Sequence, residues 1–108
     1  MKEIESLAML NALKASEKGL FILFGGQHCS VCQGIKPKLI ALMEEQYPNM
    51  TLAYVDCHRD SATCAQNGVM SLPTLQVFFE GKCFIEVVRT FSLQGILDQI
   101  HRPYHLLF

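Results

Sequence analysis

Apolar residues Ile4, Leu7, Leu10 and Leu13 recur at three-residue steps among charged neighbours, and the stretch stops at Lys18-Gly19. That spacing predicts one amphipathic helix over 3–18, ending at a glycine suited to a helix C-terminus. Leu20-Phe21-Ile22-Leu23-Phe24 then runs without a polar break up to Gly25-Gly26. An unbroken apolar run of this length predicts a strand covered on both faces, hence one near the middle of a sheet.

From Ser30 to about Tyr47 the pattern returns to helical spacing, with Cys32, Ile35, Leu39, Leu42 and Met43 on one stripe and Lys36, Lys38, Glu44 and Glu45 on other faces. Pro37 falls inside this helix, where its ring and missing N–H are expected to bend the axis rather than end it. Thr51 to Val55 reads as a second strand, so the first strand, the helix and this strand form a βαβ unit with parallel pairing. Asp60 or Ser61 can cap a short helix that ends near Asn67-Gly68. Thr74 to Phe79 and Cys83 to Val88 are strand-like runs joined through Glu80-Gly81-Lys82, a hairpin signal. Ser92 is placed to cap a last helix carrying Leu93, Ile96, Leu97 and Ile100, with Pro103 expected to stop it. The apolar tail 103–108 is expected to fold back onto the domain. The predicted order is α-β-α-β-α-β-β-α: an α/β fold with a central mixed sheet of about four strands flanked by helices.

Composition narrows the function classes. A length of 108 residues suits one domain able to bury a core without metals. With 9 Lys plus Arg and a net charge of -1 there is no basic field for a phosphate backbone, so nucleic acid is excluded as a partner. No stretch has the length and apolarity of a membrane span. The opening Met1-Lys2-Glu3-Ile4-Glu5-Ser6 lacks the apolar run of a secretion signal. A cytoplasmic, monomeric protein is the expectation. Five cysteines, an odd number, fit poorly with a fully paired secreted framework and better with working thiols in a reducing compartment.

The chemistry concentrates in His28-Cys29-Ser30-Val31-Cys32. Two cysteines three residues apart at a helix start have side chains about 5 to 6 Å apart, close enough to bond with small adjustments. Cys29 falls at the helix's N-terminal edge, where unpaired N–H groups and the positive end of the helix dipole favour a thiolate. It is the candidate nucleophile. Cys32, one turn in and on the buried stripe, is the candidate resolving thiol.

The segment from about Leu20 to about Leu97 resembles the thioredoxin family. The resemblance rests on Cys29-x-x-Cys32 after a buried strand, on Pro37 five residues further, and on Leu72-Pro73-Thr74 leading into the hairpin with Gly81. It implies a thiol-disulfide oxidoreductase acting on protein disulfides, recharged by a thiol reductase or glutathione, with no cofactor beyond the Cys29–Cys32 pair. It also implies a cis bond before Pro73, with Pro73 facing the two thiols and the Leu72 backbone receiving an extended substrate segment. Five positions depart from the family pattern. His28 replaces a Trp; Ser30 and Val31 replace Gly-Pro between the cysteines; Leu23 replaces a buried Asp that helps move the resolving thiol's proton; and Arg89 replaces a Gly beside the groove. The substrate groove is thus expected to comprise His28, Ser30, Val31, Leu72, Pro73 and Arg89, with Arg89 favouring an acidic partner.

Two other readings compete. Cys29 and Cys32 could join Cys57, His58 and Cys64 around zinc, although that second group lacks the usual ligand spacing. A peptide-binding adaptor without turnover would also fit the lost Asp and Trp. On the leading reading Cys57, Cys64 and Cys83 are small packed or incidental residues, and His58 is a solvated loop residue.

Overall fold

The computed structural model describes residues 1–108. Its elements are β1 (Lys2–Glu3), α1 (Leu7–Ser16), β2 (Gly19–Gly25), α2 (Ser30–Gln46), β3 (Thr51–Asp56), α3 (Ser61–Gln66), β4 (Thr74–Phe79), β5 (Lys82–Val88) and α4 (Leu93–Leu107). The five strands form one mixed sheet in the order β1-β3-β2-β4-β5. β2 lies at its centre, parallel to β3 and antiparallel to β4. Every residue of β2 is buried, as its unbroken apolar run requires.

Alternation along β2 divides the core in two. Phe21 and Leu23 point to the face covered by α2 and α4, where Leu39, Met43, Ile96, Leu97 and Ile100 complete the packing. Leu20, Ile22 and Phe24 point to the other face, against Leu10 of α1 and Cys64 of α3. At about 25 cal/mol per Å² of apolar surface, these two buried faces dominate the stability of a sheet this narrow. β4 and β5 are joined by the two-residue turn Glu80-Gly81, with φ of 50° and 80°. Two successive residues in the left-handed region give the turn whose twist matches a hairpin.

Three expectations need correction. The sheet has five strands, because Lys2 and Glu3 pair in parallel with Ala53 and Tyr54. Ile4, expected on the first helix, is drawn into this sheet edge instead, its N–H bonding the Tyr54 carbonyl at 2.9 Å. α1 therefore starts later, at Leu7, where the Ser6 hydroxyl accepts the Met9 N–H at 3.1 Å. Nor does Pro103 stop α4, which continues through it to Leu107. A mid-helix proline costs about 3 kcal/mol. The turn beyond it offsets this by burying Tyr104, whose ring meets Tyr47 edge-on at 4.8 Å and whose hydroxyl accepts the Asn49 N–H at 3.2 Å. The tail 103–108 does fold back, as a continuation of this helix. α2 likewise runs on through Pro37.

Candidate active site

Sheet register brings the candidate residues to one end of the molecule. Phe24 pairs with Thr74, Thr74 with Val88, and Gly25 with Asp56. The loop 26–28 after β2, the Leu72-Pro73 turn before β4, Arg89 after β5 and His58 after β3 therefore all emerge at the same sheet edge. Such an edge, at the carboxyl ends of parallel strands, is where open α/β sheets present their sites.

Cys29 is the N-cap of α2. Its Sγ accepts the backbone N–H of Cys32 at 3.3 Å, one of the helix's free donors, and its own N–H bonds the Gly26 carbonyl at 3.0 Å. Cys32 is fully buried, whereas Cys29 is half-buried. The two sulfurs are joined in a disulfide with a Cα–Cα separation of 5.2 Å. This arrangement has three chemical properties: an outer sulfur that an incoming group can reach, a charge-stabilising donor aimed at it, and an inner sulfur closed to solvent. Ser30, Val31 and His28 are exposed around the outer sulfur.

The Leu72–Pro73 peptide is cis, as the resemblance implied. Its turn is fixed by Thr74, whose hydroxyl donates to the Ser71 carbonyl at 2.7 Å. Arg89 is tied to this turn twice. Its N–H donates to the Pro73 carbonyl at 2.7 Å, and its guanidinium donates to the Ser71 hydroxyl at 3.0 Å. With φ of 66° Arg89 occupies the left-handed region, which explains why a glycine suits this position in the family. Leu23 is fully buried and lies between Tyr54 and Leu75 in the sheet, so no carboxylate stands behind Cys32 at this place.

The remaining cysteines require another correction. Cys57 and Cys64, expected as separate packed or incidental thiols, form a second disulfide with a Cα–Cα separation of 5.8 Å. The sulfurs weighed as a zinc set are thus bonded two by two. α3 turns back after Asp60 and carries the buried Cys64 to Cys57 at the end of β3, a proximity that seven intervening bonds of sequence do not reveal. Cys83 is unpaired and exposed on β5. His58, expected as a solvated loop residue, is exposed in the turn after β3, where its Nδ1 accepts the His28 N–H at 3.4 Å and the two rings lie 5.4 Å apart. A side chain at Gly26 would run into the His58 ring, so this glycine lets the loop before Cys29 pass close to it.

Two residues near Cys32 were not singled out from sequence. Gln33 donates through Nε2 to the Gly26 carbonyl at 3.1 Å and to the Tyr54 hydroxyl at 3.3 Å. Tyr54 is 4 % exposed and carries Lys36 over its ring at 4.1 Å. A tyrosine in a strand reads as core, so only its placement beside the dithiol marks it.

A closed Cys-x-x-Cys pair at a helix mouth, at the same sheet end as a cis-proline turn, defines the class of fold-mounted dithiol-disulfide centres. The family model for thioredoxin matches residues 3–102, and the chain belongs to the thioredoxin family. It is 24 % identical over 106 residues to the thioredoxin-like protein YdfQ of Bacillus subtilis, covering 98 % of this chain and 94 % of that one. It is 36 % identical over 75 residues to a thioredoxin of Streptomyces clavuligerus, covering 69 % and 65 %. Among solved structures it resembles thioredoxin of Fasciola hepatica, with a TM-score of 0.82 and 25 % identity, covering 94 % of this chain and 98 % of that one. Family membership together with the Cys29–Cys32 disulfide supports a thiol-disulfide oxidoreductase. No helix is long and apolar enough to cross a membrane.

Proposed function

We propose that this chain exchanges disulfides with protein substrates through Cys29 and Cys32. The reading is carried by one observation: the outer sulfur caps a helix and accepts its N–H, while the inner one is buried a turn away within bonding distance. A helix N-terminus stabilises an anion by about 1 kcal/mol, which favours Cys29 as the attacking thiolate. In the reducing direction Cys29 attacks a substrate disulfide, one substrate sulfur leaves as a thiolate, and Cys32 then attacks the Cys29–substrate bond. The second substrate sulfur leaves, and the protein keeps the Cys29–Cys32 disulfide. A thiol reductase or glutathione returns the two electrons, so the cycle needs no further cofactor.

The groove assigned to the substrate is bounded by His28, Ser30, Val31, Leu72 and Pro73. An extended peptide would pair with the Leu72 backbone as an added strand. Arg89, anchored on Ser71, adds a cation that favours an acidic substrate segment. With Leu23 in place of a buried acid, the resolving step has no carboxylate at that position to take the Cys32 proton, and turnover on generic substrates is expected to be slower than in relatives that keep one.

Cys32→Ser tests the reading. Incubated with a cell extract, this variant should accumulate proteins bonded to Cys29 that thiol reductants release and mass spectrometry identifies. If no reducible adduct forms at Cys29, the dithiol cycle is wrong and a peptide-binding role without turnover takes its place.

A further inference from the structure

The missing acid leaves a question that the surroundings of Cys32 answer. A methyl group built on Gly25 would lie 3.0 Å from the Cβ of Cys32 and 3.0 Å from the hydroxyl oxygen of Tyr54. The Cys32 Cβ and the Tyr54 hydroxyl oxygen therefore lie to either side of one point at the end of β2, at most twice that distance apart. The absence of a side chain at Gly25 is what allows the approach. Tyr54 pairs directly with Leu23 across the β2–β3 ladder, so the phenol rises beside the position where the family's carboxylate would stand.

Gln33, the residue after Cys32, donates to the Tyr54 oxygen at 3.3 Å, which anchors the phenol while its own proton is left for another acceptor. Burial, and then the nearby Asp56 carboxylate, raise the Tyr54 pKa, which keeps the phenol protonated throughout the neutral range; Gln33 opposes this shift and Glu3 adds to it. Lys36 lies over the ring at 4.1 Å and is paired with Glu3 at 2.6 Å, which fixes the ring from the solvent side.

Resting on the dithiol reading above, we infer that Tyr54 is a catalytic residue of the resolving step, its hydroxyl donating a hydrogen bond to the Cys32 sulfur once the Cys29–Cys32 bond is open. In that step the Cys32 thiol gives its proton to solvent, and the thiolate attacks Cys29 Sγ. The Cys29–Cys32 bond forms as the Cys29–substrate bond breaks, and the departing substrate thiolate takes up a proton. A phenol does not accept the proton as a carboxylate would. It lowers the cost of the anion in a buried site, where a hydrogen bond to a charged group counts most. Gln33 acts through Tyr54 and is a positioning residue. The charged groups facing the phenol are Glu3 of β1, Lys36 of α2 and Asp56 of β3.

The test uses reduced full-length protein carrying Cys57→Ala, Cys64→Ala and Cys83→Ser, so that only the two motif thiols respond to an aromatic disulfide reagent. Release of the first aromatic thiol reports attack by Cys29; release of the second reports attack by Cys32. Tyr54→Phe, which keeps the ring, should leave the first phase unchanged, slow the second about tenfold at neutral pH and move its pH midpoint up by about one unit. Gln33→Leu should shift the second phase the same way by a smaller factor, and it decides the matter if Tyr54→Phe fails to fold. A second phase unmoved in rate and midpoint by these substitutions overturns the role of Tyr54. A protein that never releases the second thiol, even with Tyr54 and Gln33 intact, overturns the dithiol reading itself.

Discussion

The two disulfides of this chain are built on opposite plans. Cys29–Cys32 lies within the first turn of one helix and, by its local geometry, leaves one sulfur reachable and charge-stabilised. Cys57–Cys64 joins the end of a strand to a separate helix, with Cys64 only 3 % exposed. The free N–H groups at the start of α3 serve Asp60, not a sulfur. The Cys57 N–H is itself committed to the Gly25 carbonyl at 2.8 Å. One bond is placed for exchange and the other closes a loop. What separates them is the backbone around each sulfur, not the number of cysteines or their spacing.

This contrast can be broken in several ways. The largest expected effect is that of Cys29→Ser, which should abolish disulfide reduction in an insulin precipitation assay while leaving the fold intact by circular dichroism. Replacing both members of the second pair, Cys57→Ala with Cys64→Ala, should do the reverse. For a loop this short the chain-entropy model gives a loss of about 2 kcal/mol, a fall in melting temperature on the order of 10 °C, with exchange by the first pair retained. Equal loss of activity in the two cases would erase the distinction.

Smaller effects sharpen it. Arg89→Gly removes a side chain from the left-handed region but also its bond to Ser71, so stability should stay within about 0.5 kcal/mol. Selectivity between an acidic and a basic disulfide peptide should nevertheless fall several-fold, measured as the ratio of kcat/KM; an unchanged ratio would show that the cation does not meet substrate. The smallest effect concerns Asp60. Hydrogen bonds from the Thr63 hydroxyl and then the Thr63 N–H hold its carboxyl below the usual carboxylate range. Its contribution is complete above the unfolded value and is lost as pH falls through the lower folded one. Asp60→Asn should flatten the acid limb of the stability curve and leave the neutral region nearly unchanged, as followed by urea denaturation across a pH series.

Elements fixed by long local patterns were legible in the sequence: β2 from its apolar run, α2 and its cysteines from helical spacing, the β4–β5 hairpin from Glu80-Gly81, and α4's start from Ser92. What escaped depends on contacts between distant segments. Lys2 and Glu3 carry no strand signal of their own, and Ile4 fits a helical stripe until β3 offers it a ladder. Pro103 is a helix terminator by propensity, overruled by the packing of Tyr104 on Tyr47. The Cys57–Cys64 bond exists because α3 doubles back. Within the site, Cys29 and Cys32 were readable because adjacent backbone creates their environment, whereas the Tyr54–Gln33 contact requires β3 and α2 to meet above Gly25.

The short strand at the chain's beginning has a practical consequence. Ile4 is bonded to the Tyr54 carbonyl, and Glu3 holds the lysine that lies on the Tyr54 ring. The amino end of the chain is thus wired to the neighbourhood of the inner sulfur. A purification handle fused directly before Met1 adjoins that edge, and it is expected to alter exchange kinetics without touching a cysteine. A handle placed after Phe108 avoids that strand altogether.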